Sequence, residues 1–339
     1  MLPPRYAQWL TELLGGSLPE EHAATCSRCA MQVDSVEEGY RFRADAKCCT
    51  YVPALPNFLV GAALRELPPG PARAGLDERV ADPGVCTPHG LDVSDDDRKR
   101  YQAIVAAETF GRDPDLRCPH YIDQQGGLCG IWRHRNGVCA TWFCKHDRGA
   151  AGQRFWQAVE VLLAHVEREL SHWCACQLLY HGAASEPASP DEGLGAWDAW
   201  SGRPGEYYEH TAALVDELAW PEIAVIAGPD LGPLVDRVKA TYAELQPRPT
   251  DPSLVPLRRP SRNLVAADLR VSHRGPESAR IVTYSDSDPI AMPSALLEIL
   301  PRFDGRPTDE VLAELASDGV VLTDDLVAQL VDFAVLADP

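Results

Sequence analysis

The chain has 339 residues, with 50 Asp and Glu against 31 Lys and Arg, a formal charge of −19. That length suffices for two domains with sizeable cores, and the acidity runs against nucleic acid, whose polyanionic backbone demands clustered Lys and Arg. No apolar run approaches the roughly 20 residues of a membrane span, and Met1-Leu-Pro-Pro-Arg-Tyr has neither the basic nor the apolar region of an export signal. A soluble, cytoplasmic protein with no membrane or nucleic-acid partner is the expectation.

In chain order, Pro3-Pro4 leads into a helical stripe of Tyr6, Trp9, Leu10, Leu13 and Leu14 that Gly15-Gly16 ends. Cys26 to Cys49 reads as an irregular ligand loop. A short helix is expected over Asn57–Leu67, then an irregular, Pro- and Gly-rich loop over Leu67–Gly90 with Cys86 and His89 near its end. Ser94 followed by Asp95, Asp96 and Asp97 is an N-cap and acidic first turn for a helix running to about Phe110. Arg112–Gly149 has no clean period. Helices follow over Gln153–Leu179, Glu206–Leu218 and Leu231–Leu245, with a Pro/Gly/Ser-rich excursion at Ser185–Gly205. Gln246–Pro260 carries five prolines and reads as a linker.

Beyond it, Leu269, Val271 and His273 alternate with polar residues, as do Ile281 and Thr283, which predicts a hairpin. Helices are expected at Ser294–Leu300, Thr308–Ala316 and, capped by Thr323, at Asp324–Leu336. The fold class is therefore mainly α with irregular metal-binding loops and a C-terminal α+β winged-helix-like module. The domains are 1–245, a linker at 246–262, and 263–339.

All eleven cysteines fall in the first 176 residues. In a reducing compartment such a set reads as metal-binding or catalytic rather than as disulfides. Cys26-Ser-Arg-Cys29 turns two thiolates toward one ion, as suits zinc or an iron–sulfur iron. The doublet Cys48-Cys49 suggests two clusters or one polynuclear cluster, because the intervening peptide splays adjacent side chains. Cys118, Cys129, Cys139 and Cys144 complete eight thiolates, and Cys86 is a candidate ninth ligand. Between Arg117 and Arg148 stand five Arg or Lys against two acids, a basic island suited to an anionic cluster.

Cys174 and Cys176 diverge around one helix. His165, Glu169 and His172 share a helical face, solvated or ligating, while His120, His134 and His146 serve as ligands, proton donors or hydrogen-bond partners of ligands. Trp132, Trp142 and Trp156 are expected to shield a cluster. Gly149-Ala-Ala-Gly152 is either an anion cradle or a plain helix start.

The order C-x-x-C, CC followed by Pro53, Cys118-Pro119, Cys129-Gly-Ile-Trp132, Cys139 and Cys144 resembles the YkgJ family, a zinc- or iron-chelating family with eight cysteines. The match spans Cys26–Cys144. The resemblance implies Cys26, Cys29, Cys48, Cys49, Cys118, Cys129, Cys139 and Cys144 as ligands. Eighteen residues separate Cys29 from Cys48, where the family has only a few. Cys86, Cys174 and Cys176 are additional.

The expected cofactor is one or two iron–sulfur clusters of the 4Fe–4S type, with zinc as the alternative. Electron transfer or redox modification of a peptide or protein follows, with an electron-transfer partner. On that reading the chain is an iron–sulfur-dependent oxidoreductase or peptide-modifying enzyme. Two other readings are a non-enzymatic zinc-binding scaffold and a protein methyltransferase-like enzyme, the latter by outline likeness to flagellin lysine N-methylase.

Arg280–Leu336, with Phe303-Asp-Gly-Arg-Pro-Thr308, is similar to the small peptide-binding winged helix of the pyrroloquinoline-quinone biosynthesis chaperone and of precursor-peptide recognition elements. Residues 263–339 carry 14 acids against 5 Arg or Lys, a net of −9, the wrong sign for reading DNA. The resemblance implies a peptide partner.

Overall fold

The computed structural model describes residues 2–22, 27–33, 36, 38–113, 115–179, 197–245 and 263–339. They form a mainly helical protein with small antiparallel sheets. The chain divides into two compact units. Unit 1 takes Met1–Glu20, Ala24–Trp142 and Gln157–Val238, and unit 2 takes Glu21–Ala23, Phe143–Trp156 and Lys239–Pro339. The proline-rich segment 246–262 and most of the Ser185–Gly205 excursion lie outside the described residues.

Unit 1 opens with α1 (Pro4–Leu14), which has Pro4 in its first turn and buries Tyr6, Trp9 and Leu10. Gly15 ends it at φ 65, donating to the Thr11 carbonyl at 2.9 Å. The strand β1 (Leu55–Pro56) runs into α2 (Asn57–Glu66), which is buried from Asn57 to Leu64. Asn57 Nδ2 donates to the Pro88 and Ser171 carbonyls at 3.0 and 2.9 Å, which offsets the cost of burying its amide.

Where an irregular loop was expected over Leu67–Gly90, the chain forms α3 (Pro71–Ala81), β2 (Cys86–Thr87) and β3 (Gly90–Leu91). Pro71 starts that helix, and only Leu76 and Arg79 are buried in it, so no apolar stripe announces it. The sheet order is β1-β3-β2, antiparallel.

Next, α4 (Asp95–Ala106) is capped as expected, with Ser94 Oγ accepting from the Asp97 N–H at 3.1 Å. It stops before Phe110 because Glu108 turns to φ 53. The hairpin of β4 (Tyr121–Ile122) and β5 (Leu128–Cys129) and the short α5 (Gly137–Thr141) occupy the segment without period. Then come α6 (Gly149–Leu179), α7 (Pro204–Asp216), α8 (Trp220–Ala227) and α9 (Leu231–Leu245). Of these, α8 has no counterpart in the expected elements. The core of unit 1 packs Leu55, Val60, Leu64, Leu76, Leu91 and Ile131 with Tyr207 and Tyr208.

In unit 2, β6 (Asn263–Ala266) is followed by β7 (Arg270–Arg274), β8 (Ser278–Val282) and β9 (Ile290–Pro293). The expected hairpin is β7–β8, with Val271 opposite Ile281, and β9 adds a third strand to give the order β7-β8-β9. The helices α10 (Ser294–Ile299), α11 (Thr308–Ser317) and α12 (Asp324–Asp332) appear where the pattern put them, with β10 (Asp304–Pro307) before α11. α12 ends earlier than Leu336, since Ala334 takes φ 55 and Leu336 enters β11 (Leu336–Ala337). A second antiparallel sheet has the order β10-β6-β11. Leu264, Ile281, Met292, Phe303, Val311, Leu315 and Leu330 form one core. Among the described residues, no helix is long and apolar enough to cross a membrane.

Candidate metal centre

Main-chain hydrogen bonds join the cysteine-bearing segments of unit 1. The Phe42 N–H donates to the Met31 carbonyl at 3.1 Å, which ties the Cys29 turn to the stretch leading to the doublet. Lys47 adopts φ 54, and the Cys49 N–H closes that turn on the Ala46 carbonyl at 2.9 Å. The Cys118 N–H donates to the Cys49 carbonyl at 2.8 Å, and the Lys47 ammonium to the Gly127 carbonyl at 2.6 Å. Cys129 stands on β5 opposite Tyr121, whose hydroxyl donates to the Ala44 carbonyl at 3.0 Å. Cys139 lies on α5, where its N–H is capped by Asn136 Oδ1 at 3.0 Å and its carbonyl accepts from Arg135 at 2.9 Å.

As a result, the thiols act on one another electrostatically in a linked set: Cys29 feels Cys48, Cys49 feels Cys48, Cys118 and Cys129, and Cys139 feels Cys118, Cys129 and Cys48. Burial pushes the Cys118 thiol up to about 12, although its sulfur accepts the His120 N–H. Burial likewise raises Cys29, and it holds Cys139 well above the usual thiol range. The doublet behaves differently from expectation. The turn brings the two sulfurs into hydrogen-bonding reach instead of splaying them, so Cys49 donates to Cys48. That bond, helped by the Arg135 and Lys47 charges, pulls Cys48 down to about 7 and drives Cys49 far up. No disulfide joins any two of the described cysteines. Among the described residues, no three His, Cys, Asp or Glu side chains are arranged to hold one metal ion.

Three buried cations face these thiols. Lys47, Arg79 and Arg135 are 4, 7 and 8% exposed. Lys47 lowers Cys29 and Cys48, Arg79 lowers Cys118, and Arg135 lowers Cys48 and Cys139. Arg135 stacks 3.5 Å from the Trp132 ring centre. Arg79 donates to the Pro53 and Asp92 carbonyls at 3.3 and 2.7 Å and to His120 Nε2 at 2.9 Å. Of the three, only Arg135 belongs to the basic island. Arg79 was concealed in the segment read as a loop, and Lys47 is a lone Lys beside the doublet.

The remaining expected site residues lie elsewhere. Cys26 is outside the described residues. Cys144 belongs to unit 2, as does His146, whose buried ring packs on Tyr284. Cys86 sits in the core, 3.3 Å from the Tyr208 hydroxyl, with no other thiol among the charges acting on it. Cys174 is buried 3.7 Å from the Thr211 carbonyl, and Cys176 pairs with His172 at 3.5 Å.

His165, Glu169 and His172 do not converge. His165 bonds the Ala227 carbonyl at 2.9 Å, Glu169 pairs with Arg168, and His172 stacks on His89. His134 faces Glu66 at 3.5 Å in the wall of a cavity of about 240 Å³. Of the three tryptophans expected to shield a cluster, only Trp132 lies against the thiol surroundings. Trp142 is 49% exposed and packs on Phe110, while Trp156 is buried in unit 2, donating to Glu21 at 2.7 Å. Gly149 starts α6 at φ 50 as a helix residue.

Comparison with known protein families, with characterised proteins and with solved structures gives no match to this chain.

Proposed function

We propose that the thiol group of unit 1 holds a metal–thiolate centre, an iron–sulfur cluster of the 4Fe–4S type, and that the protein serves electron transfer or redox modification of a peptide or protein. The observation that carries this reading is the gathering of six thiols against three buried cations. Burying a cation costs several kcal/mol unless negative charge answers it. Arg79 donates to two carbonyls and an imidazole, and Asp97 and Asp92 act on it electrostatically without a direct ion pair. A thiol held at about 12 is uncharged near neutral pH, whereas a metal-bound thiolate would place negative charge beside these cations.

The donors suit such a group in kind, being thiols, while no three described side chains stand ready-arranged around one ion, so binding would have to draw them together. Loading asks the thiols to give up their protons and the doublet to exchange its internal hydrogen bond for metal bonds. Cys29, Cys48, Cys49, Cys118, Cys129 and Cys139 are the residues that would hold it. A bound cluster supplies one-electron transfer. Lys47, Arg79 and Arg135 balance its charge, and burial of Cys118 keeps water away.

The test is iron, acid-labile sulfide and a visible spectrum on protein purified without oxygen. Several irons with matching sulfide are expected, and Cys48→Ser should remove or convert the signal. Zinc in a colourless protein replaces this reading with a structural scaffold, and unchanged metal in both Cys48→Ser and Cys49→Ser removes the doublet from the site.

For the C-terminal part we infer a winged-helix-like module that docks an extended peptide. Support comes from the order of a three-stranded sheet followed by α10, α11 and α12, and from β7, an edge strand whose five residues are all exposed. An edge offers unpaired N–H and C=O groups to an added strand. On addition of a peptide substrate, amide hydrogen exchange should slow along Arg270–Arg274. Protection elsewhere with β7 unchanged would move the docking site.

A further inference from the structure

A cavity of about 240 Å³ opens in unit 1 where α1, α2, the turn at Arg133-His134 and the end of α7 meet. Its apolar lining comes from Trp9, Leu59, Ala62 and Val215, each no more than 3% exposed. The walls are held in place by contacts outside the cavity itself. Gly61 lets α2 lie against the Tyr208 carbonyl of α7, and Arg5 ties α1 to α7 through Asp216 at 2.5 Å. A concave, apolar lining on fixed helices, rimmed by a few polar groups, is the form of a small-molecule site.

The charged groups around this lining divide into two kinds. Asp216 is already answered, since it accepts from Arg5 Nη2 and from Arg65 Nη2, each at 2.5 Å. Arg133 and Glu66 are not. Among the described residues Arg133 makes no hydrogen bond or ion pair, and Glu66 meets only the His134 ring, 3.5 Å away. Burial lowers the titration of that ring against the pull of Glu66, and Arg5, Arg133 and Arg65 lower it further. The imidazole is therefore neutral near neutral pH and leaves the carboxylate unbalanced. Both groups reach solvent, Glu66 with 54% of its side chain exposed, so an unpaired cation and an unbalanced anion stand open on one cavity.

That pattern selects among small ligands. A simple carboxylate drawn to Arg133 is opposed by Glu66, and a simple amine drawn to Glu66 is opposed by Arg133 and Arg5. A molecule that carries both charges on an apolar body meets neither objection. We propose that this cavity binds a free α-amino acid with an aliphatic side chain, its carboxylate on Arg133, its ammonium on Glu66 and its side chain over Trp9, Leu59 and Val215. The small volume fits one amino acid rather than a peptide. The neutral His134 ring, with one donor and one acceptor nitrogen, is a polar neighbour to either charge. No thiol lines the cavity, so the site does not draw on the metal reading.

The experiment is calorimetric titration of the full chain with L-leucine, and with isocaproate and isopentylamine, which lack its amine and its carboxylate respectively. Leucine should bind about tenfold more tightly than either, since each loses one charge-assisted contact and keeps one repulsion. Isocaproate or isopentylamine binding as tightly as leucine overturns the proposal, and so does the absence of leucine binding at millimolar concentration. In protein labelled with nitrogen-15 in histidine, saturating leucine should shift the ring resonances of His134. Bound leucine that leaves them unmoved lies elsewhere and overturns the assignment. These measurements need no substitution.

Two variants at these exposed positions separate charge recognition from a merely structural role. Glu66→Gln should weaken leucine about tenfold and tighten isocaproate, because the repulsion of its carboxylate is gone. Arg133→Gln should weaken leucine by a similar factor and tighten isopentylamine. Leucine binding that is unchanged in both variants, or lost in both with no gain by the matching half-ligand, overturns the charge pairing.

Discussion

Glu167 is a carboxylic acid on α6 with its side chain sealed inside unit 1, where it accepts from the Tyr6 hydroxyl and from the Gly137 N–H at 2.5 Å. Those two bonds anchor the start of α5, the helix that carries Cys139. Burial dominates its titration and raises it to about 7 from an ordinary 4.5. The folded chain therefore binds this proton more tightly than the unfolded one. The stability so gained is complete below 4.5 and is lost as pH rises through about 7. Glu167→Gln cannot ionise, so it should gain on wild type by on the order of 3 kcal/mol between about pH 4 and about pH 8. Denaturant unfolding at the two pH values checks this, and a difference that does not change with pH refutes it. Nothing local in the sequence marks Glu167. It lies within the helical pattern Val159, Leu162, Leu163, Val166 and Leu170, and only packing seals it from water.

Elements with a clean period were legible, and elements without one were not. α1 shows its Tyr6, Trp9 and Leu10 face, and β7–β8 shows its alternation, so both appear where the pattern put them. α3 is held by one buried leucine and one buried arginine, and the strands of the β10-β6-β11 sheet are two to four residues long, too short to display alternation. A second device is also silent in the sequence. α2 and α7 approach so closely that a Cβ on Gly61 would fall 1.7 Å from the Tyr208 carbonyl oxygen. Gly61→Ala must push two helical backbones apart and should cost about 3 kcal/mol or more. Gly232→Ala on α9 has open space and an ordinary φ, and should instead stabilise by up to about 1 kcal/mol. Thermal or denaturant unfolding of the two variants gives opposite signs, and similar losses in both would refute the close approach.

Across the whole molecule, the chain is strongly acidic, yet Lys47, Arg79 and Arg135 are buried around a group of thiols. Composition averages over that contrast. The sequence by itself determined the helical character, the cysteine-rich region, the N-cap at Ser94, the β7–β8 hairpin and the three C-terminal helices. Each of these is set by contacts between residues close in the chain, where periodicity and capping chemistry can be read directly. Only the tertiary structure decided which cysteines meet. Cys29, Cys48, Cys49, Cys118, Cys129 and Cys139 converge, while Cys86 turns to Tyr208 and Cys174 to Thr211. It also decided that the doublet's sulfurs face each other and that Arg79 meets the buried ring of His120. The doublet apart, such pairings join residues tens of positions apart through hydrogen bonds and burial. Desolvation depends on everything packed around a group, and no local pattern encodes it.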